Sequence, residues 1–130
     1  MAISQAMCSS FKKELMTATH NFTASSGNTF NLALYTSSAS LGAATAAYTS
    51  SNEASGTGYT AKGAALTSVT PVVTGTTAVG DFADLTFSTV SITARGAMIF
   101  NETASGDPSV CILDFGGDKV ASSGDFTVQF

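Results

Sequence analysis

The sequence predicts a mainly β protein, a β-sandwich or jelly-roll-like domain preceded by one N-terminal amphipathic α-helix. Three observations carry that reading. Apolar residues recur every fourth position as far as Phe22 and alternate with polar ones afterwards. Turn-forming residues then punctuate the chain about every 8 to 12 residues. Small side chains dominate throughout: of 130 residues, 37 are Ser or Thr and 32 are Ala or Gly, and threonine favours strands over helices. One domain spanning 1–130 is expected, with the helix within 1–22 and the β-domain over 29–130.

The helix is predicted over Ile3 to Ala18. Ile3, Met7, Phe11 and Leu15 form one stripe that Ala18 and Phe22 extend, while Gln5, Lys12, Lys13 and Glu14 lie off it. Ser4 is the expected N-cap, and Asn21 helps end the helix. A stripe of this kind docks on the sheet of its own domain or, alternatively, on a neighbouring subunit.

After a turn-rich link at Ala24 to Asn28, Phe30, Leu32 and Leu34 alternate with Asn31 and Ala33, so Thr29 to Thr36 reads as a half-buried strand. Ser37 to Ala47 is a long loop or a marginal short helix. Tyr48 to Asn52 and Gly56 to Leu66 read as strand pieces separated by glycine turns. Val69 to Val73 follows, and Pro71 marks an edge or a bulge there. Gly75 and Gly80 flank another short segment.

Leu85, Phe87 and Val90 lead into Ile92 to Asn101, the most strand-like run of the chain. Asn101 to Pro108 is a turn, Val110 to Phe115 an apolar strand, and Asp114 to Asp118 turns again through Gly116 and Gly117. Phe126, Val128 and Phe130 alternate in a closing strand.

Charge excludes several functions. Only 11% of residues are charged and the net charge is −4, with Lys12 and Lys13 the only adjacent cations. Nucleic-acid binding draws most of its affinity from a clustered basic face, and electrostatic membrane binding needs one too; neither partner is expected. The longest apolar runs, such as Gly96 to Phe100, fall far short of the ~20 residues of a membrane helix. The N-terminus has no apolar core preceded by cations and no cleavage site, so it does not read as a secretory signal. Cys8 and Cys111 are expected to be reduced structural thiols, with a disulfide as the alternative.

No catalytic, cofactor or metal site emerges. His20 is the only histidine, which leaves no second ligand for a zinc site and reads as a helix-end cap or surface residue. The stretch Ser55 to Ala64 looks like a phosphate loop, but Gly63 is followed by Ala64 where Lys and then Ser or Thr are needed; turn chemistry explains it. Asp81 with Asp84, and Asp114 with Asp118, match no calcium loop and read as turn carboxylates. Arg95 is out of pattern inside a strand, and it is expected either to pair with an acid or to point into a subunit contact.

Several stretches taken together resemble a known group. They are MCSSFKKELM followed by HNF, FNLALYTSSASLG, AYTSSNEASGTGYTAKGAAL, ITARGAMIFN and the ending VCILDFGGDKVASSGDFTVQF. In this order, over nearly the whole chain, they resemble small structural proteins of tailed bacteriophages, of the capsid decoration or cement type. The resemblance implies a non-enzymatic virion component without cofactors, assembled in the host cytoplasm. Its partners would be the major capsid protein or other virion proteins, and the chain itself would be a homo-oligomer, with a trimer as the guess. The alternative is a tail, head–tail or fibre component, which would meet surface sugars through Tyr35, Tyr48 or Tyr59. Contact candidates are the helix and the loops Ser37 to Ala47 and Asn101 to Pro108, represented by Phe11, Lys12, Leu41 and Glu102, together with Arg95 in its strand.

Overall fold

Two long antiparallel strands form the frame of the computed structural model, which describes residues 2–130. The elements in chain order are β1 (Ala6–Met7), α1 (Ser9–Met16), β2 (Phe30–Tyr35), β3 (Ala64–Ala65), β4 (Ser68–Thr74), β5 (Thr77–Phe82), β6 (Leu85–Asn101) and β7 (Ser109–Val128). The protein is therefore mainly β with one short helix near its N-terminus, as the sequence predicts. A five-stranded sheet runs β1-β7-β6-β2-β3, and β4 with β5 makes a separate two-stranded ribbon. Both are antiparallel.

The helix is shorter than its stripe predicts. Ala6 and Met7 pair instead with Ile112 and Cys111 on β7, and Ser4 donates its N–H to the Leu41 carbonyl rather than capping a helix. The sheet edge offers this segment backbone partners that an uncapped helical turn lacks. Cys8 takes the N-cap position without a side-chain capping hydrogen bond; its thiol donates to the Gly42 carbonyl instead. Of the stripe, Ile3 and Phe11 are buried, whereas Met7 and Leu15 remain half exposed.

β2 follows the prediction closely, but it is almost wholly buried rather than half buried. Phe30, Leu32, Leu34, Val90, Met98, Phe100 and Ile112 are the large apolar side chains of the core. Each such burial stabilises the fold by roughly 1.5–3 kcal/mol.

Between Tyr35 and Ser68 the chain is mostly irregular, with only Ala64–Ala65 as a named strand. The strand pieces expected at Tyr48 to Asn52 and Gly56 to Leu66 therefore do not form as such. Their residues run along the outer edge of the sheet. Ala54 and Leu66 donate N–H groups to the Leu34 and Phe30 carbonyls, and isolated bridges join Glu53 to Tyr35 and Thr57 to Ser91. Glycine permits this close approach. A Cβ on Gly56 would lie 1.9 Å from the Ser91 carbonyl oxygen, and one on Gly63 would lie 1.8 Å from that of Leu32.

The turn expected at Asp114 to Asp118 is a bulge within β7. Ala94 pairs with Lys119 and Gly96 with Asp114, so the single residue Arg95 faces the four residues 115–118. The glycines that signal a reversal here let one strand bow outward while its partner runs straight on. Smaller bulges at Thr89 and Ser123, both at positive φ, are why predicted short strands fuse into 17- and 20-residue ones.

Candidate functional site

Three polar clusters in the body hold structure together. In the first, Asn101 Oδ1 accepts the N–H groups of Thr103 and Ala104, which orients its amide so that Nδ2 donates to Asn28 Oδ1 at 2.9 Å and to His20 Nδ1 at 3.1 Å. His20 Nε2 then carries the proton and donates to Glu14 Oε1 at 3.0 Å. The rings of Phe11, Phe22 and Phe30 surround the imidazole. His20 is thus buried, not a surface cap. It ties the helix to the end of β6, and its hydrogen-bond partners among the described residues are Glu14 and Asn101.

Glu53 centres the second cluster. Its carboxylate accepts from the hydroxyls of Tyr48 at 2.5 Å and Tyr59 at 2.8 Å, and from the Lys62 N–H at 2.7 Å. Tyr35 is fully buried and donates to the Thr49 carbonyl. Burial, with Glu53 beside them, pushes the Tyr48 phenol up to about 12 and the Tyr35 and Tyr59 phenols higher still. Tyr35 is buried, whereas Tyr48 and Tyr59 are partly exposed.

In the third cluster, Arg95 Nε reaches Asp114 Oδ1 at 3.3 Å. That carboxylate also accepts the Gly116 N–H at 2.9 Å. The Gly116 N–H first, and the guanidinium second, hold Asp114 below its ordinary range. Of the two expectations for Arg95, pairing with an acid is the one seen, and it braces the bulge.

The remaining expected contact residues divide by burial. Phe11 and Leu41 are in the core: Phe11 packs against His20 and Phe22, and Leu41 bridges Ile3. They are not free to meet another subunit in this conformation, because their apolar surface is already covered within the chain. Lys12 is exposed, and Glu102 is partly exposed and pairs with Lys62 Nζ at 3.5 Å. Both thiols are free. Met7 lies opposite Cys111, so pleat alternation turns the neighbouring Cys8 to the other face. Among the described residues, no group of three or more metal-ligating side chains gathers, and no helix is long and apolar enough to cross a membrane.

The surface feature that calls for a partner is the β4–β5 ribbon. Thr74 pairs with Thr77 around Gly75 and Thr76, with Gly75 at φ +62°, the tight two-residue hairpin turn that matches strand twist. Pro71 falls in a bulge where Thr70 and Pro71 oppose Gly80, as its missing N–H requires. The arm is anchored near its root, by Phe82 against Phe22, Phe30 and Phe130 and by Thr70 Oγ1, which accepts the Ala24 N–H at 3.0 Å. Residues 69–81 are exposed throughout. Val69, Val72 and Val79 share one face, and Val73 lies on the other at 73% exposure.

A second feature lies on β7. Its outer edge pairs with β1 only at Cys111 and Ile112, and beyond them no strand covers it among the described residues. Beside that edge is a groove of about 430 Å³ lined chiefly by Phe115, Lys119, Val120, Phe126 and Val128, with Val120 70% exposed. The sequence marks Val69 to Val73 and a short segment flanked by Gly75 and Gly80, without joining them into a hairpin. The hairpin's lack of a covering partner had no sequence signal, since an exposed valine strand and a buried one read alike.

Comparisons of the chain with protein-family models, curated proteins and solved structures gave no match.

Proposed function

We propose that this chain is a non-enzymatic structural subunit of a phage particle, a cement or decoration protein that binds major capsid subunits and stabilises the head. The observation that carries the assembly part of this reading is the arm over residues 69–81. An isolated two-stranded ribbon is marginal in water, and this one holds Val69, Val72, Val73 and Val79 in solvent on both faces. Such a surface gains by being covered by protein. The virion part rests on the resemblance of the sequence stretches described above. Sparse charge supports the same reading, because hydroxyl- and alanine-rich surfaces pack against neighbours at low desolvation cost. Many modest symmetric contacts then add up by avidity.

Quantitative gel analysis of purified virions tests the proposal. Hundreds of copies per particle are expected for a capsid component, and a few to a few dozen point to the tail instead. Particles lacking the protein are expected to lose heat and osmotic resistance. Unchanged resistance in such particles overturns the cement role.

A further inference from the structure

The two edges of the main sheet are finished differently. Along the β2 side, the irregular segment 53–66 supplies backbone partners and two close-packed glycines, and even the Leu34 N–H is taken up by the Tyr59 hydroxyl at 2.9 Å. Along the β7 side, no strand among the described residues pairs with the edge beyond Ile112, and only the Asp114 N–H is taken up there, by Gln5 Oε1 at 3.1 Å. Long open edges are normally blunted because they recruit further strands. Here one edge is sealed and the other is left available, next to an apolar groove.

We propose that β5 of one copy of this chain adds to the open β7 edge of a second copy, with Asp81 meeting Lys119 and Val79, two residues away on the same face, entering the groove on the Lys119 side. The inference rests on the assembly reading above and names the partner as another copy of the chain. Three observations select that occupant. The arm has two free edges, but only β5 carries a full set of backbone N–H groups, since β4 contains Pro71. Asp81 is the arm's one charge, and Lys119 is the one cation lining the groove, whose one anion is Asp125. Neither Asp81 nor Lys119 forms an ion pair among the described residues. Strand addition supplies affinity through main-chain hydrogen bonds, and the side chains set register and specificity. The contact uses two different patches of the same molecule, so it is head-to-tail and propagates into a ring where the rotation closes.

The experiment is sedimentation of the full-length chain over a wide concentration range, for the parent and the charge-reversed proteins D81K and K119D. Both positions are exposed, so circular dichroism and melting temperature are expected to match the parent. Each single reversal sets like charges together and is expected to weaken self-association by about tenfold or more. Mixing D81K with K119D is expected to restore association, because every arm then meets an edge of opposite sign. The alternation that this imposes admits only even numbers of subunits in a closed ring. The D81K/K119D double variant is also expected to recover, and V79K to lose association at unchanged fold.

Single reversals that associate as tightly as the parent, or a mixture that fails to recover, overturn the pairing. A parent chain that stays monomeric at every concentration also overturns it; if its arm instead holds a different virion protein, the arm belongs to that partner. In either case virion copy number still tests the assembly reading separately.

Discussion

The side-chain amide of Asn101 donates to Nδ1 of the buried His20 imidazole at 3.1 Å, and through His20 the end of β6 is joined to Glu14 on α1. The helix has eight residues and no side-chain N-cap, too little to persist alone. Its attachment is therefore made by Phe11 and by this chain of polar groups, 81 residues apart in sequence at its buried link.

Replacing Asn101 by leucine removes one donor group and one acceptor while keeping the branched shape and the number of heavy atoms. His20 Nδ1 and the N–H groups of Thr103 and Ala104 then lose their partners. A loss of roughly 3 kcal/mol is expected from unpaired buried polar groups, read as a lower urea midpoint with an unchanged slope. Ser10 should behave in the opposite way. Its Oγ is buried without a hydrogen-bond partner, and Ser10→Ala is expected to stabilise the protein by about 1 kcal/mol.

Glycine positions give a paired test of the sealed edge. Gly63 has φ +67°, and an added Cβ would sit 1.8 Å from the Leu32 carbonyl oxygen. Gly63→Ala is expected to cost about 3 kcal/mol or more, from the left-handed backbone and the clash together. Gly117 has open space around it and no positive φ, so Gly117→Ala should change the thermal midpoint little. Equal effects of the two substitutions would mean that segment 53–66 does not lie against β2 as described.

Legibility in the sequence followed the reach of each signal. β2 and the turn after Asn101 were readable because alternation and turn chemistry are local. The bulge at Pro71 was readable because a missing N–H constrains the backbone wherever it occurs. Gly116 and Gly117 misled: they signal a local departure from extended backbone, and whether the chain reverses or only bows depends on the partner strand across from Arg95. Residues 3–7 were read as helix from a four-residue period, but an available sheet edge decided their conformation. His20 was misplaced for the same reason, since its partners Glu14 and Asn101 come from distant elements. The arm's exposure was out of reach, because β-branched alternation reports strand conformation and not what covers it.

Acid should act on the β7 bulge through Asp114. Its folded carboxyl is held below the ordinary value near 4 by the Gly116 N–H and Arg95. The folded state therefore releases this proton more readily than the unfolded state does. The contribution is fully present above the ordinary carboxylate range and fades as pH falls through the lowered folded value. Asp114→Asn is expected to flatten stability below pH 4 relative to the parent, measured as urea midpoints from pH 2 to 6. Arg95→Met should cost less than Asn101→Leu, because the Arg95–Asp114 pair is partly exposed and screened by water. A parent and an Asp114→Asn protein with parallel acid profiles would exclude a bracing role for the pair.

Alkali acts with the opposite sign and on different groups. Burial first, and Cys8 second, push the Cys111 thiol up to about 11; burial and Glu53 hold Tyr48 near 12, with Tyr35 and Tyr59 higher still. In the unfolded chain thiols ionise near 8.5 and phenols near 10. Between these values and the folded ones the native state keeps protons that the unfolded state has lost, so stability falls steadily as pH rises from about 9. The phenolate absorbance of the three tyrosines is then expected to appear together with unfolding, not before it. Tyr59→Phe removes a phenol whose oxygen also accepts the Leu34 N–H and donates to Glu53. Its urea midpoint is expected to drop at pH 7 but to decline less steeply with alkali than the parent's. The thiols give an independent reading: at pH 8 native Cys8 and Cys111 should alkylate far more slowly than in urea. Phenolate formation or thiol labelling ahead of unfolding would show that these groups are open to water, and that the Glu53 cluster does not close the edge it spans.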